Sequence, residues 1–151
     1  MERQDKSTKG DNGMSSWIEP RLDWSAENCS FDIADFNRIK NNLIYLCEEA
    51  GKIWGEFDIE DMGEDISSYE EKWEVASFNA IESNLDIINQ KMLNRDYGFK
   101  KTFYENGVFI TYDECLRIES ATLNMYEIIL GWYEGIARLS FVLGSPKGLK
   151  S

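Results

Sequence analysis

The chain has 151 residues, 42% hydrophobic and 13% aromatic, with 28 acidic against 16 basic side chains, a formal charge of −12 and no histidine. That length and apolar content suffice for one packed domain without metal or disulfide staples, and they exclude wholesale disorder. The negative charge disfavours nucleic acid and anionic membranes as partners, and the absent histidine removes the commonest general base, the Ser-His and Cys-His pairs and most catalytic zinc sites.

Residues 1–16 are polar and without periodicity, so a flexible N-terminal arm is expected, with Met14 as an alternative start. The stretch Trp17-Ile18-Glu19-Pro20-Arg21-Leu22-Asp23-Trp24 holds two tryptophans around a proline that favours extended backbone before it. Residues 17–31 therefore read as an extended strap. It either clasps its own core or offers Trp17 and Trp24 to a neighbouring subunit.

A first helix is expected over 33–52, capped by Asp32 or Asp35, with Phe36, Ile39, Leu43, Leu46 and Ala50 on one face and an end among Gly51 to Gly55. An acidic loop follows, in which Asp58, Glu60, Asp61, Glu64, Asp65, Glu70 and Glu71 face a lone Lys72. Asp58, Glu60 and Gly63 imitate three positions of a calcium-binding EF-hand loop, but Met62 and Tyr69 occupy ligand positions, so no metal is assigned. A second helix is expected over 74–93, with Phe78, Ile81, Leu85 and Ile88 in the phase of the first. Around 100–111, Lys101-Thr102-Phe103-Tyr104 and Val108-Phe109-Ile110-Thr111 flank Asn106-Gly107, which predicts a small β-hairpin.

The third helix, over 112–138 with Thr111 or Asp113 as cap, is apolar on more than one side, as befits a bundle centre or an oligomer seam that includes Trp132 and Tyr133. Arg138-Leu139-Ser140-Phe141-Val142-Leu143 either extends it or leaves as a strand, and Gly144-Ser145-Pro146 then opens a tail over 144–151. The expected architecture is mainly α: one helical domain over 17–143, a three-helix bundle-like core with the hairpin between helices 2 and 3 and extended terminal arms.

One phrase recurs through these elements. Phe36-Asn37-Arg38-Ile39-Lys40-Asn41-Asn42-Leu43 returns as Phe78-Asn79-Ala80-Ile81-Glu82-Ser83-Asn84-Leu85, and more faintly as Cys115-Leu116-Arg117-Ile118-Glu119-Ser120-Ala121-Thr122. The repeated asparagines, Asn37 with Asn79 and Asn42 with Asn84, stand just off the apolar stripe, where a side-chain amide can bond a crossing backbone. Arg38 and Arg117 occupy equivalent points, suited to pairing with an acid of an adjacent helix.

No phosphate loop or dinucleotide loop is present, and no catalytic residue or cofactor is assigned. Cys29, Cys47 and Cys115 have no metal-binding spacing and read as reduced thiols, and no apolar run reaches the ~20 residues of a membrane span.

The run Asp32 to Leu43, with Trp24 ahead of it, resembles a phrase near the start of many tail and baseplate-region proteins of bacteriophages and prophages. There an upstream tryptophan and an acidic cap precede a hydrophobe-Asn-Arg-Ile-Glu-x-Asn core. Here Lys40 stands in place of the usual glutamate, Ala80 replaces the arginine of the second copy, and the third copy lacks both asparagines.

The resemblance implies a non-catalytic structural protein of a phage or phage-like particle: a tail, baseplate or fibre-attachment component, made in the host cytoplasm. Its implied partners are other virion proteins and further copies of itself, as a ring or trimer. The charge of −12 keeps a second expectation open, a small acidic inhibitor or DNA mimic encoded by a mobile element.

Overall fold

The computed structural model describes residues 16–68 and 73–143, with side chains as far as Leu139. The expected arm before residue 16 and the tail from residue 144 lie outside the described residues. Three helices make up the regular structure: α1 (Ile33–Trp54), α2 (Val75–Lys91) and α3 (Tyr112–Leu143). Each packs against the other two.

The helix starts follow from local chemistry. At α1, the Asp32 carboxylate accepts the Asp35 N–H at 3.2 Å and the Asp35 carboxylate accepts the Asp32 N–H at 2.9 Å. Thr111 and Glu114 make the same reciprocal box at α3, at 3.4 and 3.0 Å. Two otherwise orphaned amides are thereby satisfied at each start. α2 begins at Glu74 with no side-chain cap bond, so its position rests on the burial of Phe78, Ile81, Leu85 and Ile88. Gly55, at φ 103, ends α1 and returns its N–H to Gly51 at 3.0 Å.

The core is built from the predicted stripes. Phe36, Ile39, Leu43 and Leu46 of α1 meet Phe78, Ile81, Leu85 and Ile88 of α2, and Cys115, Ile118, Met125 and Ile129 of α3 close the third side. The connecting segments contribute as well, since Trp24, Met62, Phe103 and Ile110 are buried. Phe31, Trp73, Phe78 and Phe109 meet edge-on or tilted at ring separations of 5.3 to 6.1 Å. Contacts of that kind add about 0.5–1.5 kcal/mol per pair beyond burial.

The expected hairpin does not form. Among the described residues there is no strand, only an isolated bridge between Ser25 and Asn28. The turn itself is present: Gly107 donates to the Tyr104 carbonyl at 2.9 Å and Asn106 sits at φ 63. No ladder bond follows the turn, and the Phe103 N–H and C=O are held from outside the segment by the side-chain amide of Asn79, at 2.7 and 3.0 Å. Of the two readings of Arg138 to Leu143, the structure has the helical one: α3 continues past 138 to Leu143.

Candidate assembly surface and the polar frame behind it

The four repeated asparagines share one task. Each lies on a helix and presents its amide as a peptide substitute, accepting from a backbone N–H and donating to the C=O of the same residue in a crossing segment. Asn42 holds Ile18 (2.9 and 2.7 Å) and Asn84 holds Glu60 (2.7 and 2.8 Å). Asn37 holds Ile66 at 2.9 and 2.8 Å, and Asn79 holds Phe103. In each helix the second asparagine grips the segment before it and the first grips the segment after it. Asn89, outside the repeat, does the same to Arg95 at 2.9 and 2.6 Å.

The clamped segments are therefore straps. In the acidic one, Phe57, Ile59 and Met62 turn inward while Glu56, Asp58, Glu60, Asp61, Glu64 and Asp65 are exposed. Among the described residues no group of acids, cysteines or histidines is placed to hold a metal ion.

Arg38 and Arg117 reach between helices. Arg38 bonds Glu119 of α3 at 2.8 and 2.5 Å, and Arg117 bonds Glu82 of α2. The pairs step round the bundle from α1 to α3 and from α3 to α2. A third step, from α2 back to α1, lacks both members, because Ala80 and Lys40 stand where the arginine and the glutamate would be. Lys40 instead reaches Asp65 at 2.5 Å.

Glu119 is the most heavily bonded of these groups. One oxygen accepts from the Arg21 N–H at 3.1 Å and from Arg38, and the other accepts from the Trp24 indole at 3.0 Å and again from Arg38. Its side chain is 1% exposed. With both oxygens engaged and no solvent access, it has no lone pair left for a substrate.

Burial pushes the Asp35 carboxyl up, but the hydrogen bonds from Arg38 and the Asp32 N–H and the charge of Arg38 outweigh it and hold the group below its ordinary value. For Glu82 burial prevails over Arg117 and raises the carboxyl. Arg21 completes the frame by bonding Asp35 at 3.3 Å and lying 3.7 Å over the Trp24 ring. The sequence reading missed both Arg21 and Asp35 as members of this frame. Their signal was their closeness to the strap proline and the helix cap.

The remaining repeat residues, Phe36, Ile39, Phe78, Ile81 and Ile118, are core. Of the candidate contact residues, Trp24 is corrected: at 4% exposure, with its indole N–H on Glu119, it presents nothing to a neighbour. Trp17 is half-buried and stacked on Tyr126 of its own chain, with ring centroids 4.1 Å apart.

Trp132 and Tyr133 differ from these. They stand near the base of the α3 overhang, where every residue from Leu130 to Leu139 is exposed. The end of α1 meets them: Trp54 lies 5.7 Å from Trp132 ring to ring, and the Tyr133 hydroxyl donates to Glu49 at 3.0 Å. Leu130, Ile136 and Leu139 join them to make an apolar surface on a projecting rod. A second, smaller apolar surface lies at Phe99, Tyr104, Val108 and Phe109, where the hairpin was expected.

The arrangement offers a hydrogen-bonded polar frame and a projecting apolar helix. No protein-family model, curated protein or solved structure matches the chain.

Proposed function

We propose that this chain is a non-catalytic assembly component of a phage or phage-like particle, joining tail, baseplate or fibre parts. The observation that carries the reading is the α3 overhang, which leaves Trp132, Ile136 and Leu139 between 45 and 56% exposed on a helix whose earlier turns are core. A contiguous apolar patch on a projecting element is the physical mark of a contact surface. The resemblance of Asp32 to Leu43 to tail and baseplate-region proteins supplies the particle, and the fully engaged carboxylate of Glu119 favours a frame over an active site.

On this reading the protein is made in the host cytoplasm and ends in the particle, held by other virion proteins. Mass spectrometry of purified particles tests it. The chain is expected at a fixed ratio to known tail components; its absence from particles of a strain that expresses it overturns the reading.

A further inference from the structure

The apolar face of α3 does not stop where the bundle stops. Ile118, Thr122, Met125 and Ile129 are buried. The same alternation of four and three residues continues in the sequence through Trp132, Ile136, Leu139 and Leu143. Its mean of about 3.5 residues is the period of a seam between helices. α1 and α2 fill the first half of that seam. Beyond Trp54, where α1 ends, nothing on the same chain covers the second half among the described residues.

The overhang is also a poor helix by itself. At Gly131 and Gly135 an added Cβ would meet nothing within 4 Å, so no intrachain contact requires glycine there. Each glycine costs a helix about 1 kcal/mol relative to alanine, and an unsupported helix of some 14 residues is marginal in water. A weak helix carrying half a seam needs a partner helix.

We propose that the partner is a second copy of this chain, with the two overhangs packed antiparallel about a two-fold axis. The pairing rests on the reading of the overhang as a contact surface and names its occupant. Charge selects the direction. From residue 130 onward one acid, Glu134, stands against Arg138, Lys147 and Lys150, a net of +2, so the first 129 residues carry −14 of the total −12.

At the base of the overhang Glu48 and Glu49 in the last turns of α1 and Glu56 after it outnumber Lys52, which bonds Glu49 at 2.8 Å, and Lys91 beside Gly55, so the base keeps a small negative excess. Antiparallel packing brings the Arg138 end of each copy to that acidic base of the other, whereas parallel packing sets acidic body against acidic body. The exposed parts of Trp132, Tyr133, Ile136 and Leu139, which share that side of the helix, total roughly 400 Å² per copy, hence about 800 Å² for the pair, the size of a weak interface that fills only at high protein concentration.

Sedimentation velocity on the full chain tests the pairing. The wild-type protein is expected to be a dimer at about 100 µM, and I136D and L139D monomers. The bundle should stay folded in all three, read by slow alkylation of the buried Cys115, because both positions lie outside the core, while the two monomeric variants lose the part of the far-UV helical signal that the overhang supplies. R138E should weaken the dimer several-fold at low salt, with the difference closing as salt rises.

A monomeric wild type at that concentration, or an oligomer indifferent to I136D and L139D, overturns the pairing. A dimer indifferent to R138E at low salt overturns the antiparallel direction. A monomer that still copurifies with particles defeats the pairing and leaves the assembly role standing; a dimer missing from particles does the reverse.

Discussion

Asn42 and Asn84 each hold the backbone of the residue 24 positions before them, Ile18 and Glu60, with a matched pair of hydrogen bonds. Both asparagines are fully buried. The same local word, placed once on α1 and once on α2, thus performs the same long-range act. The internal repeat is a repeat of helix plus strap, and the straps belong to the fold as much as the helices do.

Removing either amide strands a buried pair of groups. N42A and N84A should each lower the unfolding free energy by about 2 kcal/mol, since two hydrogen bonds are lost and the partner peptide is left to find water. N84D keeps the acceptor but loses the donor, and should fall between wild type and N84A. Urea unfolding followed by tryptophan fluorescence measures all three. Equal stability of N84A and wild type would remove the strap from the list of structural elements.

Glu119 and Arg38 should be strongly coupled. R38M leaves the Glu119 carboxylate with the Trp24 and Arg21 donors, whereas E119L strands Arg38, the indole and an amide together. Costs of about 3 kcal/mol for R38M and about 4 kcal/mol for E119L follow from the usual penalty for breaking a buried pair on one side. The double variant should cost less than the two added together by about 1–3 kcal/mol. Additive losses in a double-mutant cycle would show that the two groups do not work as a pair.

Asp35 sets the acid limb of stability. Its folded-state value lies below the ordinary 3.8, so its contribution is fully present above the unfolded value and is lost as pH falls through the folded one. D35N should be less stable than wild type by about 2 kcal/mol at neutral pH, and the gap should narrow only below the unfolded value. Denaturant unfolding at pH 7, 4 and 3 reads this. A gap that stays constant across the series would mean that the Asp35 charge is not what the fold uses.

The thiols should separate by accessibility. Cys29 is exposed, Cys47 is half-buried with its value raised by burial, and burial, followed by the charge of Glu119, pushes Cys115 up to about 12. Alkylation at pH 8 followed by mass spectrometry should therefore modify Cys29 first and reach Cys115 only in denaturant. Ready labelling of Cys115 in the folded protein would contradict its place in the core.

How much of this was legible in the sequence divides by the distance over which each feature is decided. The three helices were legible because Phe36, Ile39, Leu43 and Leu46, and their counterparts in α2 and α3, fall on single faces, and because the Asp32 and Thr111 boxes are local. The repeated asparagines were visible as residues off the stripe, yet nothing local says which backbone each holds.

The hairpin failed for the same reason. Lys101 to Thr111 has the right turn and the right β-prone flanks, yet its backbone and side chains are engaged from outside the segment, as where Asn79, 24 residues earlier, holds the Phe103 peptide and Phe78 meets Phe103 and Phe109. α3 ran past its expected end because Arg138 and Leu139 suit a continued helix as well as an exit, and the breakers begin only at Gly144. Trp24 was offered as a contact because a tryptophan in a strap looks outward until its indole acceptor, 95 residues away, is known.

The Glu119 carboxylate joins Arg21 and Trp24, near the start of the described chain, to the early turns of the helix that leaves the bundle at its far end. Tension applied between the first strap and the α3 overhang would meet the Asn42 clamp at Ile18 and the Glu119 bonds at residues 21 and 24 before it could unwind a helix. The node that holds the fold together in a still solution is thus also a mechanical coupling, which sets how hard the first strap and the α3 overhang can be pulled apart before the domain yields.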